Sequence, residues 1–300
     1  MIVLLLLALS LSTPLPTTLL TNTSIFSEEI QTKCSQNLPK DSQHFNALNS
    51  LVCGEKITDK DLRENLRKTS LIHIFVVSGS HLLLLDELLS ILRIPFYVRF
   101  FFMSFYSIVI GWQAPAVRAL LGMCSRRLLH RSRIFLPKDL CVLLAGFLAL
   151  MLFPAWWNSL SFLMSWCAAL ALTAPDVLRV RNSWAHGFLT QFSIFFFMSA
   201  PLWGIGSLHP LSILYNLFLA PVVSYILLPL SFLVSVFSSL VFLFDFFMDH
   251  FHHTLFVLSE PIEFASRQTP DIRLLWCWIL FWHVAFHFLR LHLWQGKDLT

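Results

Sequence analysis

The stretch from Leu71 to Leu92, LIHIFVVSGSHLLLLDELLSIL, constrains the fold of this chain more than any other segment. It is apolar enough to enter a bilayer, where a backbone must satisfy its own hydrogen bonds as a helix. As a helix it would span about 33 Å, the thickness of a hydrocarbon core. It also holds two histidines, three serines and two adjacent carboxylates. Polar groups at membrane depth face a bundle interior or water, so the stretch predicts a membrane helix with a polar face.

The rest of the chain has the same apolar character. Hydrophobic residues make up 56% and charged residues 13% of the sequence, whereas soluble domains average about 25% charged residues. Further span-like segments follow, at 95–112, 139–153, 156–174, 184–203, 210–229, 230–247 and 272–294. A short half-span is predicted at 114–125 and an amphipathic surface helix at 250–268. The prediction is an all-α fold, a polytopic integral membrane helical bundle with about eight to nine membrane segments, some broken or short.

The polar and basic residues predict the domain organisation. Residues 1–20 read as a signal-like or anchor segment, and residues 21–70 as a short extracytoplasmic region with a helix capped by Asp59. Residues 71–300 form the predicted transmembrane domain. Short loops rich in lysine and arginine favour the cytoplasm, which predicts that the loops at 93–99, 126–138 and 179–181 lie there.

Two of the six cysteines lie in the polar region. Cys34 and Cys53 are predicted to form a disulfide if that region lies outside the cytoplasm, and to remain free thiols if it does not. The other four cysteines lie in apolar segments and are predicted to be packing residues.

Two further segments have polar faces. In PAVRALLGMCSRR, Pro115, Arg118 and Arg126 share one face at helical spacing, which would make Arg118 an intramembrane cation. In SILYNLFLAPVVSYILLPL, Asn216 lies on a polar face, and Pro221 is predicted to break the helix together with Pro229. Broken spans with polar faces recur along translocation pathways.

Four segments resemble, in the same order, the signatures of the ComEC competence proteins, inner-membrane channels for incoming single-stranded DNA. The resemblance covers about residues 50–235, and a glycine upstream of the first signature corresponds to Gly54. The matching positions are His73, Ser78, Gly79 and His81; Pro115, Arg118, Ala119 and Met123; Leu160, Ser161, Phe162 and Ser165; and Asn216, Pro221, Ser224 and Pro229. Ser80 departs from the usual leucine, and the metallo-β-lactamase-like domain of many members is missing, which suggests a minimal form.

This resemblance implies a multi-pass protein of the inner membrane that translocates single-stranded DNA during natural transformation. The implied partners are single-stranded DNA, membrane lipid, and DNA-binding, nuclease and helicase or ATPase proteins. Neither a cofactor nor a metal is implied, and the protein is expected not to be an enzyme. The candidate DNA-pathway residues are His73, Ser78, Gly79, Ser80, His81, Pro115, Arg118, Arg126, Ser161, Asn216 and Pro221.

Other interpretations remain open at this point. His73 and His81 are also explained as interior hydrogen-bonding groups, Gly79 as a close-packing residue, and Arg118 as an ion-pair partner of Asp86 or its neighbour Glu87. His283 and His287 are spaced to share a metal or to lie in the interior.

Two other functions are also compatible with the sequence. One is an intramembrane serine protease, because the segment from Ser78 to His81 resembles the G-x-S-G element of rhomboid-like enzymes. In that reading Ser78 or Ser80 acts with a histidine, but valine stands at position 76 where the element would need glycine. The other is a non-catalytic membrane scaffold for DNA-uptake machinery.

Overall fold

The computed structural model describes residues 17–75, 79–203, 209–259 and 270–295, and within these ranges all regular structure is helical. A π-helical turn at Val223–Leu227 and 3₁₀ turns at Pro154–Asn158 and Ser238–Leu240 join some of the helices. The α-helices are α1 Thr17–Asn37, α2 Phe45–Cys53, α3 Lys60–Lys68, α4 Ile72–Phe75, α5 Gly79–Ile91, α6 Phe96–Val109, α7 Ala114–Arg131, α8 Lys138–Leu152, α9 Leu160–Ala171, α10 Ala174–Val177, α11 Ser183–Leu202, α12 Ser212–Val222, α13 Leu228–Val236, α14 Val241–Ser259 and α15 Ile272–Gln295.

Three helical segments in the described ranges are long and apolar enough to cross a membrane: Leu160–Val177, Ser212–Val236 and Ile272–Leu293. Their mean hydropathies are 1.4, 2.3 and 1.5, and α6 is a shorter apolar helix. The fold class is therefore confirmed as that of a helical membrane protein.

The chain forms two compact units, each with its own packing. Of the described residues, 17–75, 79–120 and 209–259 belong to the first unit, and 121–203 and 270–295 to the second. The unit boundary falls inside α7, between Leu120 and Leu121.

The first unit has a core shared between its N-terminal and C-terminal parts. Leu48 from α2 and Leu66 from α3 are fully buried in one cluster with Leu228 from α13 and Phe244 from α14. Residues 21–70 are thus packed on the helices after residue 212 rather than on a core of their own.

Polar contacts between distant segments reinforce this packing. The hydroxyl of Ser259 donates to Asn65 Oδ1 at 2.8 Å in a buried position. The hydroxyl of Ser42 donates to Asp245 Oδ1 at 2.6 Å. The capped helix predicted in this region is confirmed, because Asp59 Oδ1 accepts from the backbone amides of Asp61 and Leu62 at the start of α3.

A disulfide joins Cys34 in α1 to Cys53 at the end of α2, with 5.9 Å between their Cα atoms. This is the pairing that the sequence predicts for an extracytoplasmic region. The side chain of Gln31, one turn earlier in α1, donates to the carbonyl of Cys53 at 2.9 Å. The bridge and this hydrogen bond hold α1 against α2.

Removing this bridge is expected to destabilise the protein. The cross-link closes a loop of 19 residues, and restriction of the unfolded chain by a loop of that size contributes about 3 kcal/mol. The double variant C34S/C53S in detergent should therefore unfold at a lower temperature than the unchanged protein. C277S, which removes an exposed free thiol, is the matched control. Equal unfolding temperatures for all three proteins would contradict the expectation.

The second unit is built around a buried tryptophan. The ring of Trp166 in α9 packs on Gly146 in α8, where a Cβ atom would lie 2.5 Å from the ring. Trp166 Nε1 donates to His283 Nε2 in α15 at 2.9 Å, so His283 lies in the interior, as one of the two interpretations holds. Arg290, also in α15, forms an ion pair with the buried carboxylate of Asp139 in α8.

The predicted helix boundaries at residues 229–230 and 247–250 are wrong, and the predicted end at 268 lies outside the described residues. Pro221 and Pro229 do not end a helix: the chain continues from Ser212 to Val236 through the π-helical turn at Val223–Leu227. A π turn accommodates the backbone that a proline cannot bond, which explains the continuity. The next helix, α14, begins at Val241 and runs across the predicted break at 247–250.

Two other predicted segments differ in extent. The half-span at 114–125 is part of an 18-residue helix that continues to Arg131, so the first basic residues after it are helical rather than in a loop. Arginine and leucine are good helix formers, and hydropathy shows where an apolar surface ends but not where a helix does. The stretch from Leu71 to Leu92 is described as two helices, α4 and α5, while residues 76–78 lie outside the described residues.

Candidate functional site around Arg118

The first turn of α5 packs directly on the first turns of α7. A Cβ atom at Gly79 would lie 2.8 Å from the backbone oxygen of Pro115, 3.3 Å from the Cβ atom of Ala119 and 3.5 Å from Nη2 of Arg118. Only a residue without a side chain allows this approach. The structure therefore brings together Gly79, Pro115 and Arg118 from two of the matched segments, and Gly79 has the close-packing role that one interpretation assigns to it.

Arg118 is a cation in an apolar environment. Its side chain is 7% exposed, and all residues from 114 to 120 are buried. Burying a charge costs several kcal/mol unless the site supplies hydrogen bonds or an opposite charge. A guanidinium keeps its charge under these conditions and offers five N–H donors. Arg118 is therefore a fixed positive charge inside the first unit.

The loop that precedes α7 is fixed by the end of α2. Gly54 has a left-handed backbone, with φ of 71°, and a Cβ atom there would lie 2.9 Å from the Cβ atom of Ile110. The side chain of Gln113 donates to the carbonyl of Gly54 at 3.2 Å. Pro115 follows in the first turn of α7, where its missing N–H leaves no helical hydrogen bond unmade. These contacts hold the helix that carries Arg118 at a defined position.

Asp86, a carboxylate of α5, pairs with an arginine of the next helix. Asp86 lies 3.0 Å from Nη1 of Arg99 in α6, and the same nitrogen donates to the Asp86 carbonyl at 2.9 Å. Glu87 is exposed. The proposed ion pair between Arg118 and Asp86 is thus replaced by a pair with Arg99. His81, two residues after Gly79, is 1% exposed and belongs to the interior of the same unit.

A second polar position lies in α12, before the π-helical turn. Ser212 and Asn216 are buried, with 2% and 5% of their surfaces exposed. In the described part of the chain, the Asn216 Oδ1 atom has no hydrogen-bond partner. A buried amide oxygen left unbonded costs about 1–3 kcal/mol, which makes this atom a candidate acceptor for water or a ligand. The π-helical turn that follows is contacted by the short helix α4, which begins the first matched segment.

The other candidates are more scattered. Arg126 is exposed and donates through Nε to the Gly122 carbonyl at 3.3 Å. Pro221 is exposed on α12, and Ser161 is exposed in the second unit. Ser78 and the side chains of His73 and Ser80 lie outside the described residues.

Sequence reasoning missed two side chains that shape this site. The sequence predicts no role for Gln113, which lies just before the helix that carries Pro115. For Arg99 the sequence predicts only a loop position that indicates orientation. Across the described residues, no group of three histidine, cysteine or acidic side chains is arranged to hold a metal ion.

A helical membrane protein with a buried arginine at a tight helix crossing is the class that this geometry defines. The family model for competence proteins matches residues 51–297, which covers most of the chain. The chain therefore belongs to the competence protein family, and the resemblance seen in the sequence is confirmed. Membership indicates a role in DNA uptake during transformation. No curated protein and no solved structure gives a significant match.

Proposed function

We propose that this protein is a channel of the inner membrane that passes incoming single-stranded DNA into the cytoplasm. The observation that carries the proposal is the buried Arg118 held at the Gly79–Pro115 crossing of a competence-family membrane protein. Three of the four matched segments contribute residues to the unit that holds Arg118. A purely structural role of this arginine would not require that arrangement. The activity is transport rather than catalysis.

The physical requirements of the cargo agree with these features. A DNA strand carries a negative charge at every phosphate, so its path through a low-dielectric layer needs fixed cations and hydrogen-bonding groups. Arg118 supplies a cation, and Asn216 Oδ1, which has no hydrogen-bond partner among the described residues, supplies an acceptor for the N–H donors of bases. Aromatic side chains stack on bases of any sequence, and the chain holds 30 phenylalanines and 10 tryptophans.

The disulfide supports the proposed orientation. Disulfides persist in oxidising compartments, so the Cys34–Cys53 bridge favours an extracytoplasmic position for residues 21–70. The basic segments at 126–138 and 179–181 then lie in the cytoplasm by the positive-inside rule. We propose a multi-pass arrangement with about eight to nine membrane segments in total, some of them short.

The proposal implies partner proteins. A single strand requires a nuclease that removes its complement, and directed movement requires an energy source such as a helicase or other ATPase on the receiving side. A DNA-binding protein outside would deliver the substrate. These partners, together with the strand and the lipid, form the proposed uptake machinery.

Deletion of the gene tests the proposal directly. We expect cells that lack the protein to bind labelled DNA at their surface as before, while no label reaches the cytosol. Complementation with the intact gene should restore cytosolic label. Normal arrival of label in the deletion strain would overturn the channel. Labelling of Ser78 or Ser80 by a serine-directed probe would instead favour the protease.

A further inference from the structure

Helix α7 ends in an exposed basic segment, residues 126–138, which belongs to the second unit. Its lysines and arginines have no aspartate or glutamate among them, and nearly all of its side chains are exposed. A cleft of about 310 Å³ is lined by Arg127, His130 and Arg131, so basic side chains converge at the end of the helix. This basic segment is separate from the site around Arg118.

The backbone at the end of α7 holds an arginine where glycine is usual. The amide of Ile134 donates to the carbonyl of Leu129 at 2.9 Å. The amide of Arg133 donates to the carbonyl of His130 at 3.1 Å. These two bonds close a helix around a residue with a left-handed backbone, which is most often glycine. Arg133 takes that conformation, with φ of 56°, although a side chain is disfavoured there. A strained residue of this kind points to a use for its side chain.

The arginines at the helix end keep their donors available. Arg131 and Arg133 are exposed, and neither side chain forms an ion pair within the described part of the chain. Lys138, at the other end of the basic segment, is instead paired with Asp176 at 2.9 Å. A guanidinium carries five N–H donors in a planar fork that matches two oxygens of a phosphate. The two arginines are therefore suited to bind a phosphate group.

An exposed aromatic ring adjoins these arginines. Phe135 follows Arg133 by two residues, and 79% of its surface is exposed. Its ring lies edge-on to the ring of His130, with 6.0 Å between their centroids. His130 in turn shares the cleft with Arg131. Cations beside exposed aromatic rings are the pattern by which proteins bind single strands of any sequence, because phosphates contact the cations and bases stack on the rings.

We propose that the end of α7 binds the single strand, with phosphates at Arg131 and Arg133 and a base on the ring of Phe135. The proposal rests on the proposed channel function, which places the basic segment on the receiving side of the membrane. There the contact would hold the strand as it emerges. A segment that only orients the protein in the membrane needs the charges, but it needs neither a strained arginine nor an exposed ring.

Binding of a fluorescent oligothymidylate to the full-length protein in detergent tests this contact. The variant R131Q/R133G should bind it about tenfold more weakly than the unchanged protein, since exposed charge pairs are individually weak. The slope of log K against log salt concentration should fall by about 1.4, because each phosphate contact on a single strand contributes about 0.7. The fold should be retained, because glycine adopts the left-handed backbone without strain. R133G alone should therefore unfold at the same temperature as the unchanged protein or at a higher one.

The variant F135L tests the stacking contact. Leucine keeps an apolar side chain for lipid but removes the aromatic face, so F135L should bind the oligonucleotide about fivefold more weakly. If the ring contacts the membrane instead, F135L will bind the oligonucleotide like the unchanged protein, and the proposal will be overturned in favour of a lipid contact.

The variant R63Q/R273Q is the matched control, because it removes two exposed arginines outside the basic segment. It should bind the oligonucleotide like the unchanged protein. Unchanged binding by R131Q/R133G, or equal weakening in both double variants, would overturn the contact. Either result would leave the channel standing, because the channel is judged by the arrival of labelled DNA in the cytosol of the deletion strain.

Discussion

Replacement of Gly79 by alanine is expected to lower transformation by at least about tenfold, with a fall of about 1–3 kcal/mol in the free energy of unfolding. The added methyl group would stand 2.8 Å from the backbone oxygen of Pro115, which cannot turn aside as a flexible side chain does. Helices α5 and α7 would have to separate by several tenths of an ångström, and Arg118 would move with α7. Transformants should be counted against the amount of protein in the membrane, and thermal unfolding measured in detergent.

The matched control is Gly187→Ala in α11. A Cβ atom at Gly187 meets no atom of the described residues within 4 Å, so the same chemical change adds no overlap with them. Its transformation and unfolding temperature should equal or exceed those of the unchanged protein, because alanine favours a helix over glycine by about 1 kcal/mol. The close-crossing argument would fail if G79A behaved like G187A.

Replacement of Arg118 by glutamine is expected to reduce the arrival of labelled DNA in the cytosol by about 100-fold or more. A unit charge 4 Å from a phosphate contributes about 4 kcal/mol at an effective dielectric of 20, and each 1.4 kcal/mol changes a rate tenfold. Lysine keeps the charge but not the planar guanidinium, so R118K should retain part of the uptake. DNA binding at the cell surface should not change in either variant.

Arg63→Gln is the control, since it removes an exposed arginine from α3 of the same unit. It should leave uptake unchanged. If the role of Arg118 is purely structural, R118Q and R118K will both lower the amount of protein in the membrane. Their DNA uptake per molecule of protein will then be equal. Full DNA uptake by the double variant H73A/R118A would contradict the channel and favour a scaffold.

The sequence predicted the apolar helices well and their joints less well. The segments at 95–112 and 272–294 correspond to Phe96–Val109 and Ile272–Gln295, because a membrane helix must be continuously apolar and is bounded by polar or proline residues. The joint at 237–240 contains neither glycine nor proline, and so it carries no local signal. Pro221 and Pro229 strongly predict the end of a helix, but the π-helical turn at Val223–Leu227 lets the helix continue.

The site was predictable as a set of residues but not as a set of contacts. Small and polar residues at helical spacing in apolar segments are enough to identify Gly79, Pro115 and Arg118 as candidates. Their meeting depends on which helices pack together, which is a long-range property. The pair of Asp86 with Arg99 shows the same limit: it requires the reversal of the chain at Arg93, whose backbone has a φ of 58°.

The core of the first unit has a consequence for how the protein is made. Its early members, up to Phe75, leave the ribosome roughly 150 residues before Val223, the first of the late members. At about 5–20 residues per second, the early helices wait on the order of 10–30 s for the helices that cover them. During that interval the Cys34–Cys53 bridge is a covalent link between the first two helices that needs no later partner. Oxidative closure of the first two helices is therefore suited to hold the nascent chain until its second half arrives.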